Sequence, residues 1–397
     1  MTRVLLVSGK GGVGKTTVAA ASAVRAAQLR HRTLLISVDR AHNVGDVLGA
    51  RLTGEPRPVP GVPGLAAFEA DPQVELRRHW EVFRGYFARF LQWAGLAGTQ
   101  ADESLVLPGL EELLTLARLD ELVDTGSWDL VVVDLAPTAS SLRLLSFPDL
   151  MAGPFGRLAR LERKFLRLTR RVFERLSAIP VPEDALYDAL EALANRLARL
   201  RALLADPARC SVRLVSAAER IVIEETRSAF GLLSLFGLCV DAVVLNRVLP
   251  ERACRGFFGP YAEVQARERT RARELFADVP LLELGWQPEE VIGTKALATA
   301  AVELYGKRDP AKAFATKPPL GFTDTRSGTT LEVALRQPDA QALDLKRKGD
   351  DLIITAAGWR RQLPLPAALR GRAVSTARLR DGILKITFLP TRRKEVS

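Results

Sequence analysis

The pattern of apolar and polar positions divides the chain into two parts. Before residue 307, short apolar runs alternate with amphipathic stretches of helical period, which predicts parallel strands joined by helices. The first run, Val4–Val7, leads into a glycine-rich turn and an alanine-rich segment, which predicts strand, loop and helix. After a Pro- and Lys-containing linker the apolar period falls to two, as at Leu331, Val333 and Leu335, which predicts a small all-β module.

Further apolar runs of strand length predict the rest of a doubly wound, mostly parallel α/β sheet. These runs occupy residues 32–39, 128–134, 211–216, 241–246 and 280–282. Three of them end in Asp39, Asp134 and Asn246. Ligands of such sheets bind at the carboxyl ends of the strands, so these side chains are expected beside the loop that follows the first strand. Residues 53–65, rich in Gly and Pro, are predicted to be a loop.

The glycine-rich turn fits G-x-x-x-x-G-K-[ST], the phosphate-binding loop. Its glycines allow backbone N–H groups to face phosphate oxygens, and the next helix adds its positive dipole end. We expect Lys15 to contact the β- and γ-phosphates of ATP, and Thr16 and Asp134 to hold Mg²⁺. The residues predicted to bind the nucleotide in this loop are Gly9, Lys10, Gly11, Gly12, Val13, Gly14, Lys15, Thr16 and Thr17.

Two helical insertions are predicted within the α/β part, at about 73–122 and 149–205. The first carries an aromatic stripe, which is either an ordinary core face or the lining of a hydrophobic groove for a client or partner. The stripe consists of Leu76, Trp80, Phe83, Phe87 and Phe90. The second insertion contains a basic amphipathic segment, residues 157–176. Such a segment is typical of a helix that binds a membrane surface, nucleic acid or an acidic partner, but also of a solvated helix face.

Composition narrows the class of protein. The net charge of +11 favours acidic partners such as nucleotides, nucleic acid or a membrane surface. No apolar run approaches the roughly 18 residues that a transmembrane helix needs, and no secretory signal precedes the first strand. The three cysteines are scattered without a C-x-x-C, which argues against a disulfide framework and a zinc hook. A cytoplasmic location is therefore expected.

Lys10 makes the loop K-G-G-x-G-K-[ST], which resembles the arsenite-pump and tail-anchored-protein-targeting ATPases with their deviant phosphate loop. The resemblance implies a homodimer in which Lys10 crosses to the partner's ATP and offsets charge, as an arginine finger does. Residues 39–46 resemble that family's D-P-A-H-x-x-x-D switch, with Arg40 in place of proline, which implies that Asp39 orients the attacking water. Asp39 can also be read as a helix N-cap.

Two further segments support the resemblance, which covers residues 1–306. Asn246–Pro250 matches the family, which implies that Asn246 contacts adenine; the alternative is a turn residue that caps the strand. Residues 134–145 resemble the family's D-T-A-P-T-G-H-T-x-R-L-L switch. This second switch departs from the family where Leu135, Ala139, Ser140 and Ser141 replace Thr, Gly, His and Thr. The departure concerns how this switch couples hydrolysis to the rest of the molecule, and it does not concern nucleotide binding.

The β module resembles the α-crystallin domain of small heat-shock proteins, although an unrelated β-sandwich has a similar pattern. The resemblance rests on Leu363–Pro366 and on the strand that follows Asp381-Gly382, a strong hairpin signal. Members of the same ATPase group carry such a module at the C-terminus. We therefore predict an ATPase domain at 1–306, a linker at 307–317, a β-sandwich at 318–390 and a tail at 391–397.

The sequence thus predicts a Mg-dependent ATPase that acts as a homodimeric nucleotide switch and binds hydrophobic or amphipathic helical client proteins. A transient membrane or acidic partner is compatible with the basic segment, whereas nucleic acid is the less favoured partner. Three alternatives stay open: an arsenite-efflux ATPase subunit, a DNA- or membrane-partition ATPase, and a chaperone holdase in which the nucleotide is structural.

Overall fold

A computed structural model describes most of the chain. It covers residues 1–38, 43–70, 118–135, 184–325, 328–336, 343–356 and 359–389. The chain divides into two compact units. The first consists of Met1–Phe68, Gly126–Ala136 and Leu204–Ser397, and the second of Glu69–Thr125 and Pro137–Leu203.

An eight-stranded sheet forms the centre of the first unit. Its strands are β1 (Arg3–Gly9), β2 (Thr33–Ser37), β3 (Arg57–Pro58), β4 (Leu65–Glu69), β5 (Leu130–Asp134), β6 (Cys210–Ala217), β7 (Val240–Val248) and β8 (Leu281–Gly285). They lie in the order β3-β4-β2-β5-β1-β6-β7-β8. The five neighbouring pairs from β2 to β8 are all parallel, and β3 pairs antiparallel with β4. The predicted mostly parallel sheet is confirmed.

Helices cover this sheet. Those of the first unit are α1 (Lys15–Gln28), α2 (Asn43–Leu48), α4 (Arg220–Leu235), α5 (Gly259–Leu275) and α6 (Thr294–Tyr305), and the second unit contains most of α3 (Asp184–Ala205). Consecutive residues along β1, β2 and β5 are buried, so both faces of the central sheet are covered. The small side chains of α1 allow it to pack tightly against β5 and α6, with Ala19, Ala20 and Ala23 fully buried.

The edge of the sheet differs from the prediction. The segment predicted as a loop contains β3, which is only two residues long, and the following β4 has no counterpart in the prediction. The Arg57–Pro58 dipeptide has no apolar alternation, and Leu65–Glu69 (sequence LAAFE) has alanines where a strand pattern has β-branched residues. Pairing with a neighbouring strand, rather than local propensity, makes these segments extended.

The second unit is described at residues 69–70, 118–125 and 184–203, which include helical residues up to 124 and most of α3. Arg199 Nε donates to Asp120 Oδ2 at 2.7 Å, and Arg196 pairs with Glu121 at 2.7 Å. The aromatic stripe, the basic segment and the second switch beyond Leu135 lie outside the described residues. Within the described ranges, no helix is both long and apolar enough to cross a bilayer.

The C-terminal part forms two antiparallel sheets. Their strands are β9 (Leu320–Thr325), β10 (Gly328–Ala334), β11 (Leu343–Lys348), β12 (Asp351–Ala356), β13 (Trp359–Pro364), β14 (Val374–Arg380) and β15 (Ile383–Phe388). The sheets have the orders β14-β15-β10-β9 and β11-β12-β13. One apolar cluster contains Leu331 and Ile386 of the first sheet and Ile354 and Leu363 of the second, so the two sheets share a core. This confirms the predicted all-β module.

The Asp381-Gly382 turn confirms the hairpin prediction in detail. Asp381 and Gly382 have φ angles of 52° and 73° and connect β14 to β15. Positive φ at both central residues is what a two-residue hairpin turn requires, and Asp and Gly accept it at low energy. The local sequence therefore sets the register of this sheet.

Candidate nucleotide site

The phosphate loop connects β1 to α1 and depends on its glycines. Gly12 and Gly14 have φ angles of 79° and 90°, which favour glycine strongly. A Cβ on Gly9 would lie 2.1 Å from the carbonyl oxygen of Val215 in β6, and a Cβ on Gly14 would lie 2.3 Å from Asn246 Nδ2. Around Gly11 and Gly12, in contrast, a Cβ would meet no atom within 4 Å. The loop is thus closely packed against β6 and β7 at Gly9 and Gly14, whereas there is open space around Gly11 and Gly12.

The two lysines of the loop occupy different environments. Lys15 is only 9% exposed, and its Nζ donates to the carbonyl oxygen of Lys10 across the loop at 3.3 Å. The side chain of Lys10 instead leaves the loop, and its Nζ pairs with Glu225 Oε1 of α4 at 2.8 Å. Both partners of this pair are well exposed. The side chain of Lys15 therefore contacts its own phosphate loop, whereas the side chain of Lys10 lies on the protein surface.

The two predicted metal-binding residues lie together. Thr16 Oγ1 donates to Asp134 Oδ2 at 2.7 Å, and Asp134 is 1% exposed. The parallel register of β1 and β5 pairs Val7 with Asp134 and so brings the carboxylate to the base of the loop. A hydroxyl and a carboxylate are the hard oxygen ligands that Mg²⁺ prefers, so these residues fit a magnesium ion.

Asn246 connects the end of β7 to the loop. Its Nδ2 donates to the carbonyl oxygen of Val13 at 2.9 Å, and its Oδ1 accepts from the backbone N–H of Arg247 at 2.9 Å. Arg247, still within β7, has a φ of 57°, and the pairing of β7 with β8 shifts between Leu245 and Val248, so the strand is bulged directly after Asn246. The side chain supports the phosphate loop, and a contact between Asn246 and adenine stays a prediction.

The remaining predicted residues are placed as follows. Val13 is buried, and Thr17 lies in the first turn of α1 beside Thr16. Asp39 and the rest of the first switch up to His42 lie outside the described residues, so the water-orienting role of Asp39 stays a prediction. Among the described residues, no cluster of three or more His, Cys, Asp or Glu side chains could hold a metal ion by itself.

Two residues of this region were not predicted. Glu225 lies 215 positions from its partner Lys10, and no local pattern indicates such a pair. Gln265 of α5 is 4% exposed, and it accepts from the Leu249 N–H and donates to the Arg247 carbonyl, at 2.9 and 3.1 Å. The only sequence signal for Gln265 is a neutral polar residue in a helix otherwise rich in charges.

Two of the three cysteines are buried. Cys210 and Cys239 are 1% and 3% exposed. Burial raises the pKa of the Cys210 thiol to about 12 and that of Cys239 to about 11. Because the thiolate is the form that binds soft metals and metalloids, these two side chains are poor ligands near neutral pH.

A glycine-rich loop connects a central strand to a helix that begins with a lysine and a threonine, and a carboxylate lies on the adjacent parallel strand. This arrangement defines a P-loop nucleotide-binding protein. The particular family follows from sequence comparison. The Anion-transporting ATPase family matches residues 2–306, and the HSP20-like domain found in ArsA matches residues 326–388. The chain belongs to this family of ATPases.

Relatives include proteins that match nearly the whole chain. The arsenical pump-driving ATPase of Prosthecochloris vibrioformis is 34% identical over 391 residues, which cover 97% of this chain and 96% of the relative. Arsenical pump-driving ATPase 1 of Aquifex aeolicus is 30% identical, with 96% and 99% covered. The ATPase get3 of Schizosaccharomyces pombe is 27% identical over 295 residues, which cover 74% of this chain and 88% of the relative.

Proposed function

We propose that the protein is a Mg-dependent, homodimeric ATPase of the cytoplasm that switches between two states as it hydrolyses ATP to ADP and phosphate. The observation that supports this proposal is that the side chains of the two loop lysines have different partners. Lys15 is folded into its own loop, whereas Lys10 extends to the surface and pairs with Glu225. A lysine that is not needed within its own loop is available to a nucleotide bound by a second copy.

Each residue of the site has a role in this scheme. Lys15 and the N–H groups of the loop bind the phosphates of ATP and orient them. Thr16 and Asp134 would hold Mg²⁺, which neutralises charge on the phosphate oxygens. Asp39 orients the attacking water, and Lys10 of the second copy offsets the charge that develops as the terminal phosphoryl group leaves.

The test separates binding from hydrolysis. Lys15→Ala should abolish binding of a fluorescent ATP analogue, because it removes the cation that contacts the phosphates. Lys10→Ala should keep that affinity within a few-fold but lower the hydrolysis rate by roughly 10³-fold, as loss of a charge donated in trans does. The specific activity of the wild type should rise with protein concentration. A rate per chain that is independent of concentration in a monomeric sample would contradict the proposal.

The proposed clients are hydrophobic or amphipathic helices, on the support of the aromatic stripe at 76–90. The probe is a ~20-residue leucine-rich peptide, compared with the same peptide carrying two central lysines. An Asp39→Asn variant with ATP should hold the leucine-rich peptide in a stable complex and release it with ADP. Equal binding of the two peptides, or binding that ignores the nucleotide, would count against client recognition.

An arsenite-stimulated pump ATPase is the second candidate, because relatives carry that name. Arsenite(III) binds clustered thiolates, whereas Cys210 and Cys239 are buried with raised thiol pKa values. We expect arsenite to leave the ATPase rate unchanged. A rate that rises with arsenite and loses this response in a Cys254→Ser variant would favour the pump role instead.

A further inference from the structure

One neutral side chain is buried in α5, a helix that is otherwise rich in charges. Gln265 is 4% exposed, and both polar atoms of its amide bond to the main chain just beyond Asn246. Its Nε2 donates to the Arg247 carbonyl oxygen at 3.1 Å, and its Oε1 accepts from the Leu249 N–H at 2.9 Å. A residue of a neighbouring parallel strand makes the same two bonds. Gln265 therefore takes the place of a strand at the end of β7.

The main chain needs this support because β7 is bulged there. The pairing of β7 with β8 shifts between Leu245 and Val248, and Arg247 has a φ of 57°. A positive φ is unfavourable for a residue with a Cβ and persists only where neighbouring contacts hold it. Gln265 bonds to the main chain on both sides of Val248 and thereby fixes the bulge.

The bulge sets the direction of the Arg247 N–H, which in turn orients the Asn246 amide. The Arg247 N–H donates to Asn246 Oδ1, and Asn246 Nδ2 donates to the Val13 carbonyl oxygen, each at 2.9 Å. If the amide exchanged its two ends, its oxygen would face the Val13 carbonyl and its NH₂ group would face the Arg247 N–H. Both bonds would then be lost, so the two contacts allow one orientation only.

An amide held in this way distinguishes adenine from guanine. Within the described part of the chain, the bonds of Asn246 use one of its two N–H groups and one of the two lone pairs of its oxygen. An N–H and a lone pair remain, and adenine presents the matching acceptor and donor at N7 and N6. Guanine presents acceptors at both N7 and O6, so its O6 would face the amide oxygen. Selectivity thus depends on the orientation of the amide.

We infer that Gln265 is a positioning residue for base selectivity: it holds the bulge in β7, and the bulge keeps the Asn246 amide in the orientation that binds adenine and excludes guanine. The inference rests on the proposed ATPase and on the predicted contact between Asn246 and adenine, and it adds the residue that fixes this contact. Gln265 acts through the main chain. Lys15 and the N–H groups of the loop bind the phosphates separately, so loss of Gln265 affects recognition of the base more than that of the phosphates.

The test measures the affinity of the full-length protein for ATP, GTP and inorganic tripolyphosphate by titration calorimetry with Mg²⁺. Gln265→Met occupies a similar volume without an amide. It should lower the ratio of ATP affinity to GTP affinity by at least ~10-fold, because a bidentate contact to a base discriminates by that order. Its affinity for tripolyphosphate should stay within a few-fold of the wild type. Gly231→Ala, which introduces a clash with the β module, is the control for general loss of stability and should keep the wild-type ratio.

Gln265→Glu is a conservative variant whose selectivity should depend on pH. A protonated carboxyl group donates and accepts like the amide, whereas a carboxylate cannot donate to the Arg247 carbonyl oxygen. Burial raises the pKa of a carboxyl group, so this variant should approach the wild-type ratio at pH ~5.5 and lose it at pH ~8. A residue that only stabilised the fold would not make base selectivity follow the protonation of its side chain.

Thermal melting establishes that each variant is folded before its ratio is compared with that of the wild type at the same pH. An unchanged ratio in Gln265→Met, or an equal fall in Gly231→Ala, overturns the inference and leaves the proposed function intact. If Gln265→Met does not fold, a ratio in Gln265→Glu that ignores pH overturns it instead. A wild type that binds ATP and GTP equally also overturns it, whereas a wild type that binds neither nucleotide contradicts the proposed function itself.

Discussion

At the scale of single residues, the site depends on contacts between backbone and side chain that are too close to accept a larger residue. Gly14 faces Asn246 Nδ2, and the same nitrogen donates to the Val13 carbonyl oxygen. The loop conformation and the end of β7 are thereby tied together. Asn246 is bound on two sides by backbone groups, so its place is set by the loop as much as by any nucleotide.

Gly14→Ala tests this tie. Its φ of 90° strains any residue with a Cβ, and the new methyl group would displace the Asn246 amide. We expect a loss of about 1–3 kcal/mol in the free energy of unfolding, measured by urea denaturation without nucleotide. Gly11→Ala is the matched control, because a Cβ there meets no atom within 4 Å. Equal stability of the two variants would refute the tie between Gly14 and Asn246.

At this scale, the sequence indicates where residues lie when their contacts depend on a short motif or on the end of one strand. The loop, Thr16 and Asp134 are recognised from a short motif and from one strand end, because parallel strands bring their carboxyl ends together. Glu225 and Gln265 were missed, because each acts on residues that are adjacent only after the sheet has assembled. A motif encodes what is contiguous in sequence and carries no signal for such partners.

At the scale of elements, α4 joins the nucleotide site to the β module. Near its start Glu225 pairs with Lys10, and further along Arg227 Nη1 donates to the carbonyl oxygen of Arg336 at 3.0 Å. The last residue of the helix, Leu235, is 1% exposed and belongs to the apolar core of the β module. The β module is therefore packed onto the ATPase fold and not attached through the linker alone.

Gly231→Ala tests the contact between α4 and the β module. Within an exposed helix this change stabilises by roughly 0.5–1 kcal/mol, because glycine loses more backbone entropy on folding. Here a Cβ would lie 2.0 Å from the carbonyl oxygen of Leu335, so we expect destabilisation by about 1–3 kcal/mol in chemical denaturation.

Gly259→Ala, in the first turn of α5, is the control for that substitution. Its Cβ would approach the Cys254 carbonyl oxygen to no less than 3.6 Å, an ordinary contact. A stabilising effect of Gly231→Ala would mean that α4 and β10 do not pack as the structure places them. Such packing has no local sequence signal, since Gly231 alone looks like an ordinary weak position in a helix.

At the scale of the whole molecule, buried polar networks fasten the linker to the sheet. The fully buried Arg213 pairs with Asp241, and its Nη2 donates to the carbonyl oxygens of Pro310 and Lys312, each at 3.0 Å. Burial lowers the pKa of Arg213 while Asp241 and Tyr305 raise it, with a net upward shift that keeps the guanidinium charged. From the sequence, residues 307–317 were predicted only to connect the two domains. Arg213 and Asp241 lie in two separate strands, and nothing in the sequence indicates that both contact the linker backbone.

Ionisation of Cys210 and Cys239 is expected to lower the free energy of unfolding at alkaline pH. Burial raises their pKa values to about 12 and about 11, above the ~8.5 of an exposed thiol. The neutral thiols thus favour the folded state fully below pH ~8.5, and this contribution is lost as the pH rises toward 11–12. The urea midpoint should therefore fall more steeply from pH 9 to 11 in the wild type than in Cys210→Ala/Cys239→Ala. Parallel pH profiles would show that the thiols ionise freely in the folded protein.

The central claim is that Lys10 acts on the ATP of a second copy, and mixing two inactive variants tests it most directly. Lys10→Ala keeps Lys15, which is proposed to bind the phosphates, but lacks the lysine proposed to act in trans, and Lys15→Ala has the reverse defect. Each variant alone should be nearly inactive. In a mixed dimer, the intact Lys10 of one chain reaches the ATP held by the other, so an equimolar mixture should recover about a quarter of the wild-type ATPase rate. A mixture that stays as inactive as its components, although mixed dimers form, would show that Lys10 does not act across the dimer.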